Sequence, residues 1–139
     1  MSVTLDRDGA TAIVTLDRPD RRNAFTMAMR GEIASIFSDL AEEQTITAVV
    51  LTGAGGHFCS GADTGEMGHS DIAAFLHRMR MLHMMIRAIA DFPKPVIAAV
   101  EGTCVGAGWS LALACDLIVA APDARFCQIF GRIGFAPDA

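Results

Sequence analysis

The chain has 139 residues, 52% of them apolar, which is the length of one domain with enough hydrophobic material for a sizeable core. Eleven basic residues against 16 acidic ones leave a net charge of −5, a balance that argues against nonspecific binding to nucleic acid or to an anionic membrane. No stretch reaches the ~20 uncharged apolar residues of a membrane span, since even MRMLHMMIRAIA carries arginines, and no basic-then-apolar leader opens the chain; the expected location is the cytoplasm.

Val3 to Leu16 reads as a β-hairpin, with two β-favouring segments around an Asp8-Gly9 pair suited to a tight turn. A helix follows, because Met29, Ile33, Ile36, Phe37 and Leu40 recur with helical spacing and Thr26 stands where an N-cap is needed. Arg18, Arg21 and Arg22, just before it, form a basic cluster that could serve a phosphate or simply a solvated turn. Ala48 to Thr52 is continuously apolar, as expected of a strand covered on both faces of a largely parallel sheet.

Ser70 is the predicted cap of a helix over Asp71 to Ala90, with Ile72, Phe75, Leu76, Met79, Leu82, Ile86 and Ile89 as its buried stripe, and Pro93 and Pro95 end it. His83 falls on that stripe and is read as a buried, satisfied histidine; His57, His69 and His77 receive no chemistry. Val96 to Val100 is a second buried strand, a helix runs from about Gly106 to Ala114, and Leu117 to Ala121 is a third strand. This alternation of strands and helices predicts an α/β fold with right-handed crossovers. Cys59, Cys104, Cys115 and Cys127 lack any zinc spacing and read as reduced structural thiols.

Two glycine-rich loops, Gly53–Asp63 (GAGGHFCSGAD) and Gly102–Trp109 (GTCVGAGW), each follow a β-type segment. Glycine allows sharp turns and close approach, so such loops at strand ends can aim main-chain N–H groups into one crevice, as enzymes do to hold an oxyanion. A dinucleotide-binding reading competes, but GTCVGAG does not supply G-x-G-x-x-G and no acidic residue ends a suitable strand about 20 positions on.

DRPDRRNAF, HFCSGAD, FPKPVIAAVEG, VGAGWSLALACD and the terminal RIGFAPDA, in this order and spacing, resemble the crotonase (enoyl-CoA hydratase/isomerase) superfamily. The resemblance runs along the whole chain. It implies a crotonase-like spiral of ββα units, incomplete here, with residues 1–139 as the N-terminal part of an acyl-CoA-binding domain. The C-terminal part and the trimerisation helices are then absent, and a full-length member would be a homotrimer or hexamer.

The implied substrate is an acyl-CoA thioester, with no cofactor beyond that coenzyme A and no metal. Its carbonyl oxygen would accept from the main-chain N–H groups of Ser60 and Ala107, beside Gly61 and Gly106; Ala107 should be the stronger donor, in the first turn of a helix. Losing one donor of such a hole costs about 2.7–4 kcal/mol of transition-state stabilisation. Contacts to coenzyme A would come from Arg22, Ala24, Ala62 and Asp63. Where family hydratases carry two glutamates this chain has Ser110 and Phe130, so water addition lacks both usual acid/base groups. Asp138 falls where some isomerases of the family place an acid/base carboxylate, which favours double-bond isomerisation. Hydration or thioester hydrolysis with unusual groups is one alternative, and a catalytically silent domain is another. Glu66 follows the first loop closely enough to line a pocket or to face solvent, and Glu101 has no assigned role.

Overall fold

The computed structural model describes residues 2–66 and 71–137, so that His69, Ser70 and Asp138 lie outside the described residues. Strand β1 (Val3–Asp8) pairs antiparallel with β2 (Thr11–Leu16), Asp8 opposite Thr11, and Gly9 turns the chain at φ 56°. Helix α1 (Met27–Glu42) begins where its cap predicts, with Thr26 Oγ1 accepting from Met29 N–H at 3.3 Å. Its Met29, Ile33, Phe37 and Leu40 are buried and its Ile36 is half-buried.

Strands β3 (Ala48–Gly53), β4 (Val96–Val100) and β6 (Leu117–Ala120) add to β2 in parallel, giving the order β1-β2-β3-β4-β6. Helix α2 (Ile72–Ala90) crosses between β3 and β4, and the seven-residue helix α3 (Ala107–Leu113) lies between β4 and β6. The architecture is therefore mixed α/β with a mostly parallel sheet and flanking helices. Two strands not anticipated, β5 (Thr103–Val105) and β7 (Arg125–Cys127), pair in parallel as a small second sheet. Three residues are too few to show a period.

Ala12, Val14 and Leu16 of β2, Val49 and Leu51 of β3, and Val96, Ala98 and Val100 of β4 join the buried side chains of α1 and α2 in one cluster. Burying a side chain of Val, Leu or Phe size contributes roughly 1.5–3 kcal/mol. The Phe37 ring meets Phe92 edge-on, centroids 5.2 Å apart, and Lys94 Nζ donates to Leu40 O in the last turn of α1 and to Glu43 O just past it, at 2.7 Å each.

Three expectations are corrected. The sheet is not covered equally on both faces: Val50 and Thr52 of β3 stay half-buried, because the buried residues alternate onto the single face that shares the core of α1 and α2. In α2 only Leu82, Met85 and Ile89 are buried, whereas Ile72, Phe75 and Leu76 are 79%, 43% and 47% exposed. The packing on α1 engages the C-terminal half through Leu82, Met85 and Ile89, and His83 lies off that stripe and is exposed as well. The cap of α2 is Asp71, whose Oδ1 accepts from Ala74 N–H at 2.8 Å. Among the described residues, no helix is long and apolar enough to cross a membrane.

Candidate functional site

The two glycine loops run side by side. Phe58 N–H donates to Glu101 O, Cys59 N–H to Thr103 O and Val105 N–H to Cys59 O, all at 2.8–2.9 Å, so the first loop acts as a further strand along β5. His57 Nδ1 adds a brace by accepting from Thr103 N–H at 3.2 Å. The loops converge at Gly61, where φ is +101° and a Cβ would stand 3.1 Å from Val105 O and 3.4 Å from Ala107 N. Only glycine combines that backbone angle with so close an approach.

Beyond this junction lies a cavity of about 230 Å³. Ser60, Gly61, Ala62 and Asp63 line it from the first loop, Gly106 and Ala107 from the second, and Phe130 from the chain that follows β7. Phe75, Met79 and Leu82 of α2 and Val105, Ile129, Ile133 and Phe135 make the remaining wall strongly apolar. The exposed start of α2 is thus explained in part: Phe75 faces this cavity instead of the core. Arg22 and Ala24 do not reach the cavity wall. Ala24 is occupied structurally, its carbonyl accepting from Arg18 Nη1 at 2.6 Å.

The main-chain donors need one correction. Ser60 N–H donates to Arg22 O at 2.9 Å and Ser60 Oγ to Arg21 O at 3.1 Å, so the Ser60 amide is engaged within the fold and closed to a ligand. On either side of Ala62, Phe25 N–H donates to Gly61 O and Asp63 N–H to Phe25 O, at 2.9 and 3.0 Å. This alternation leaves the Ala62 N–H over. Among the described residues neither the Ala62 nor the Ala107 N–H has an acceptor, and both residues line the same cavity.

Electrostatically the rim is settled by Arg18 and Asp63. Arg18 Nη1 reaches Asp63 Oδ2 at 2.9 Å and Gly65 N–H donates to Asp63 Oδ1 at 2.9 Å; the Gly65 N–H first, and Arg18 next, hold the Asp63 carboxyl below its ordinary value. Arg18 is therefore committed to the fold, which removes it from the basic cluster. Glu66 combines both of its expected positions: exposed, yet on the cavity rim, with Oε2 accepting from Met27 N–H at the start of α1 at 2.7 Å. Burial pushes the Cys59, Cys104 and Cys115 thiols up to about 12, so none of them is a thiolate nucleophile at neutral pH. Among the described residues no group of His, Cys, Asp or Glu could hold a metal ion.

Ser110, one turn into α3 from Ala107, is buried, and among the described residues its Oγ has no hydrogen-bond partner. Two residues escaped the sequence reading. Asn23 is fully buried with φ +57°. Arg30 is 4% exposed, donates from Nη1 to Arg78 O at 2.9 Å, lies over the Phe25 ring at 5.3 Å and lines the cavity. A signal for Arg30 was present, since with Ile33, Phe37 and Leu40 it completes the buried stripe of α1 at helical spacing. For Asn23 nothing in residue type or period pointed inward.

Comparison with known proteins gives a consistent neighbourhood. The family described as Enoyl-CoA hydratase/isomerase matches residues 6–139. A protein named "Probable enoyl-CoA hydratase" from Rhodobacter capsulatus is 42% identical over 128 residues, 92% of this chain and 49% of its own length. The 1,2-epoxyphenylacetyl-CoA isomerase of Escherichia coli is 36% identical over 131 residues, 90% of this chain and 49% of its own. Among solved structures, an enoyl-CoA hydratase from Bacillus anthracis superposes with a TM-score of 0.94 at 30% identity, over 100% of this chain and 55% of that one. The chain thus spans about half the length of the relatives it matches.

Proposed function

The chain belongs to the enoyl-CoA hydratase/isomerase family, and from that premise we propose that it binds an acyl-CoA thioester and stabilises its enolate, moving a double bond in preference to adding water. One observation carries the reading: the Ala62 and Ala107 N–H groups, both without an acceptor among the described residues, line one apolar cavity where the glycine loops meet. A thioester carbonyl oxygen placed between them would accept two hydrogen bonds that strengthen as negative charge develops on it. Because α3 has only seven residues, the aim of the donors matters more here than any helix dipole. The apolar wall formed by Phe75, Met79, Leu82 and Phe130 would take the acyl chain and exclude water from the enolate.

Isomerisation needs a single base. It removes a proton from the carbon next to the thioester, the carbonyl oxygen carries the resulting charge as a dienolate, and the proton returns two carbons further out while the double bond shifts inward. Asp138 is the proposed shuttle. Ser110 and Phe130 supply no carboxylate to activate water, which supports isomerisation over hydration.

The test is to offer the protein a 3-enoyl-CoA and, separately, a 2-enoyl-CoA. We expect conversion of the first to its 2-enoyl isomer, loss of that activity in Asp138→Asn with acyl-CoA affinity retained, and no detectable water addition to the second. Robust hydration would overturn the assignment, as would equal isomerase rates in wild type and Asp138→Asn.

A further inference from the structure

The path of the first glycine loop is imposed from outside, by the turn that precedes α1. Asn23 is 0% exposed and every polar group it owns is engaged. Its N–H donates to Arg18 O at 2.9 Å, its Oδ1 accepts from Arg18 N–H at 2.9 Å, and its carbonyl accepts from Cys59 Sγ at 3.1 Å. Its Nδ2 donates to Ala54 O at 2.8 Å and to His57 O at 2.7 Å, gripping both sides of the turn that opens the loop. The residues next to it continue the clasp through Arg22 O to Ser60 N–H and through both main-chain groups of Phe25 to Gly61 and Asp63. Ala62 sits between these anchors with its own N–H left out.

We infer that Asn23 is the positioning residue of the oxyanion site: its side-chain amide fixes the loop so that the Ala62 N–H faces the same point as the Ala107 N–H. The inference rests on the oxyanion reading above. Asn23 does not line the cavity, so it acts through the loop and never on the substrate. A residue that merely filled space here could be apolar; a buried amide with both its ends satisfied instead specifies one loop arrangement. The left-handed φ of +57° is one that asparagine tolerates better than most residues, and it turns the side chain toward the loop.

Two variants separate backbone from amide. Asn23→Gly keeps the left-handed conformation without cost and removes every side-chain bond. Asn23→Asp keeps the shape and the acceptor, and sets a carboxylate oxygen against the carbonyls of Ala54 and His57. The probe is a saturated short-chain acyl-CoA labelled with heavy carbon at the thioester carbonyl. Its stretching frequency is read by difference infrared spectroscopy in the bound state, beside affinity by calorimetry and a thermal melt.

Wild type should lower the carbonyl frequency on binding. Both variants should melt cooperatively and bind within about tenfold of wild type, as expected for the loss of one hydrogen bond, yet lose most of that shift, with Asn23→Asp affected at least as much as Asn23→Gly. A full shift retained in either folded variant overturns the inference. Failure of both variants to fold also counts against it, because the residue is then structural and nothing more. No shift in wild type removes the oxyanion reading itself, a separate outcome.

Discussion

Replacing Gly61 by alanine tests the junction of the two loops directly, because this glycine is required twice. Its φ of +101° lies beyond the small left-handed region open to residues with a side chain, at a cost of at least about 1–2 kcal/mol. The new methyl would also stand 3.4 Å from Ala107 N, one of the two donors proposed for a bound carbonyl oxygen. Gly61→Ala should therefore lower the melting temperature by roughly 3–10 °C and weaken acyl-CoA binding by one lost hydrogen bond of about 0.5–1.5 kcal/mol, or roughly 2- to 13-fold in Kd. Gly56→Ala is the control: its φ of +73° carries similar strain, and a methyl there meets nothing within 4 Å. It should cost stability without costing affinity. The reasoning is refuted if the two variants lose affinity equally, or if Gly61→Ala matches wild type in both measurements.

Two further substitutions probe the surroundings of the site. The Asp63 carboxyl titrates below its ordinary value of 3.8, so its share of stability is complete above that pH and fades as the pH falls through the lower folded-state value. Asp63→Asn should lose stability at pH 7 and flatten the acid limb of the unfolding curve below pH 3.8, whereas acid limbs of equal slope would mean that neither the Gly65 N–H nor the Arg18 contact matters. Ser110 Oγ is buried without a partner among the described residues, a condition that costs about 1–3 kcal/mol. Ser110→Ala removes that penalty and favours the helix, so chemical denaturation should show a gain of roughly 1 kcal/mol; a loss of stability would mean that the hydroxyl is bonded after all.

Those elements of the fold that repeat a period were legible from residues alone. The hairpin, α1 with its Thr26 cap and the parallel strands β3, β4 and β6 follow from apolar spacing and from Asp8-Gly9 and Pro93/Pro95 as breaks. Period fails where the partner surface changes along an element. Helix α2 carries one continuous apolar stripe, but its C-terminal half packs on α1 and its N-terminal half on a cavity, so Phe75 and Leu82 look alike in sequence and differ in burial. Strands β5 and β7 exist because the second glycine loop and the segment after β6 happen to lie alongside each other. Such a tertiary coincidence leaves no mark in a three-residue string.

The site was legible as two loops and not as two donors, and the reason lies in its chemistry. A main-chain N–H is the same on every residue but proline, so composition cannot separate Ser60 from Ala62; only the hydrogen-bond path decides, and it passes through Arg22 and Phe25. That path rests on groups remote from the cavity, Asn23 above all, while the side chains able to direct proton transfer are few and largely independent of it. Ser110 Oγ makes no bond that the loops need, and Phe130 meets the cavity as a wall. Either can be exchanged without disturbing the donors. A hole of the proposed kind, built from backbone and held by a buried polar clasp, can therefore stay fixed while the acid/base groups around it change. Relatives named as a hydratase and as an isomerase, both matched along this same stretch of chain, are what such a division of labour allows.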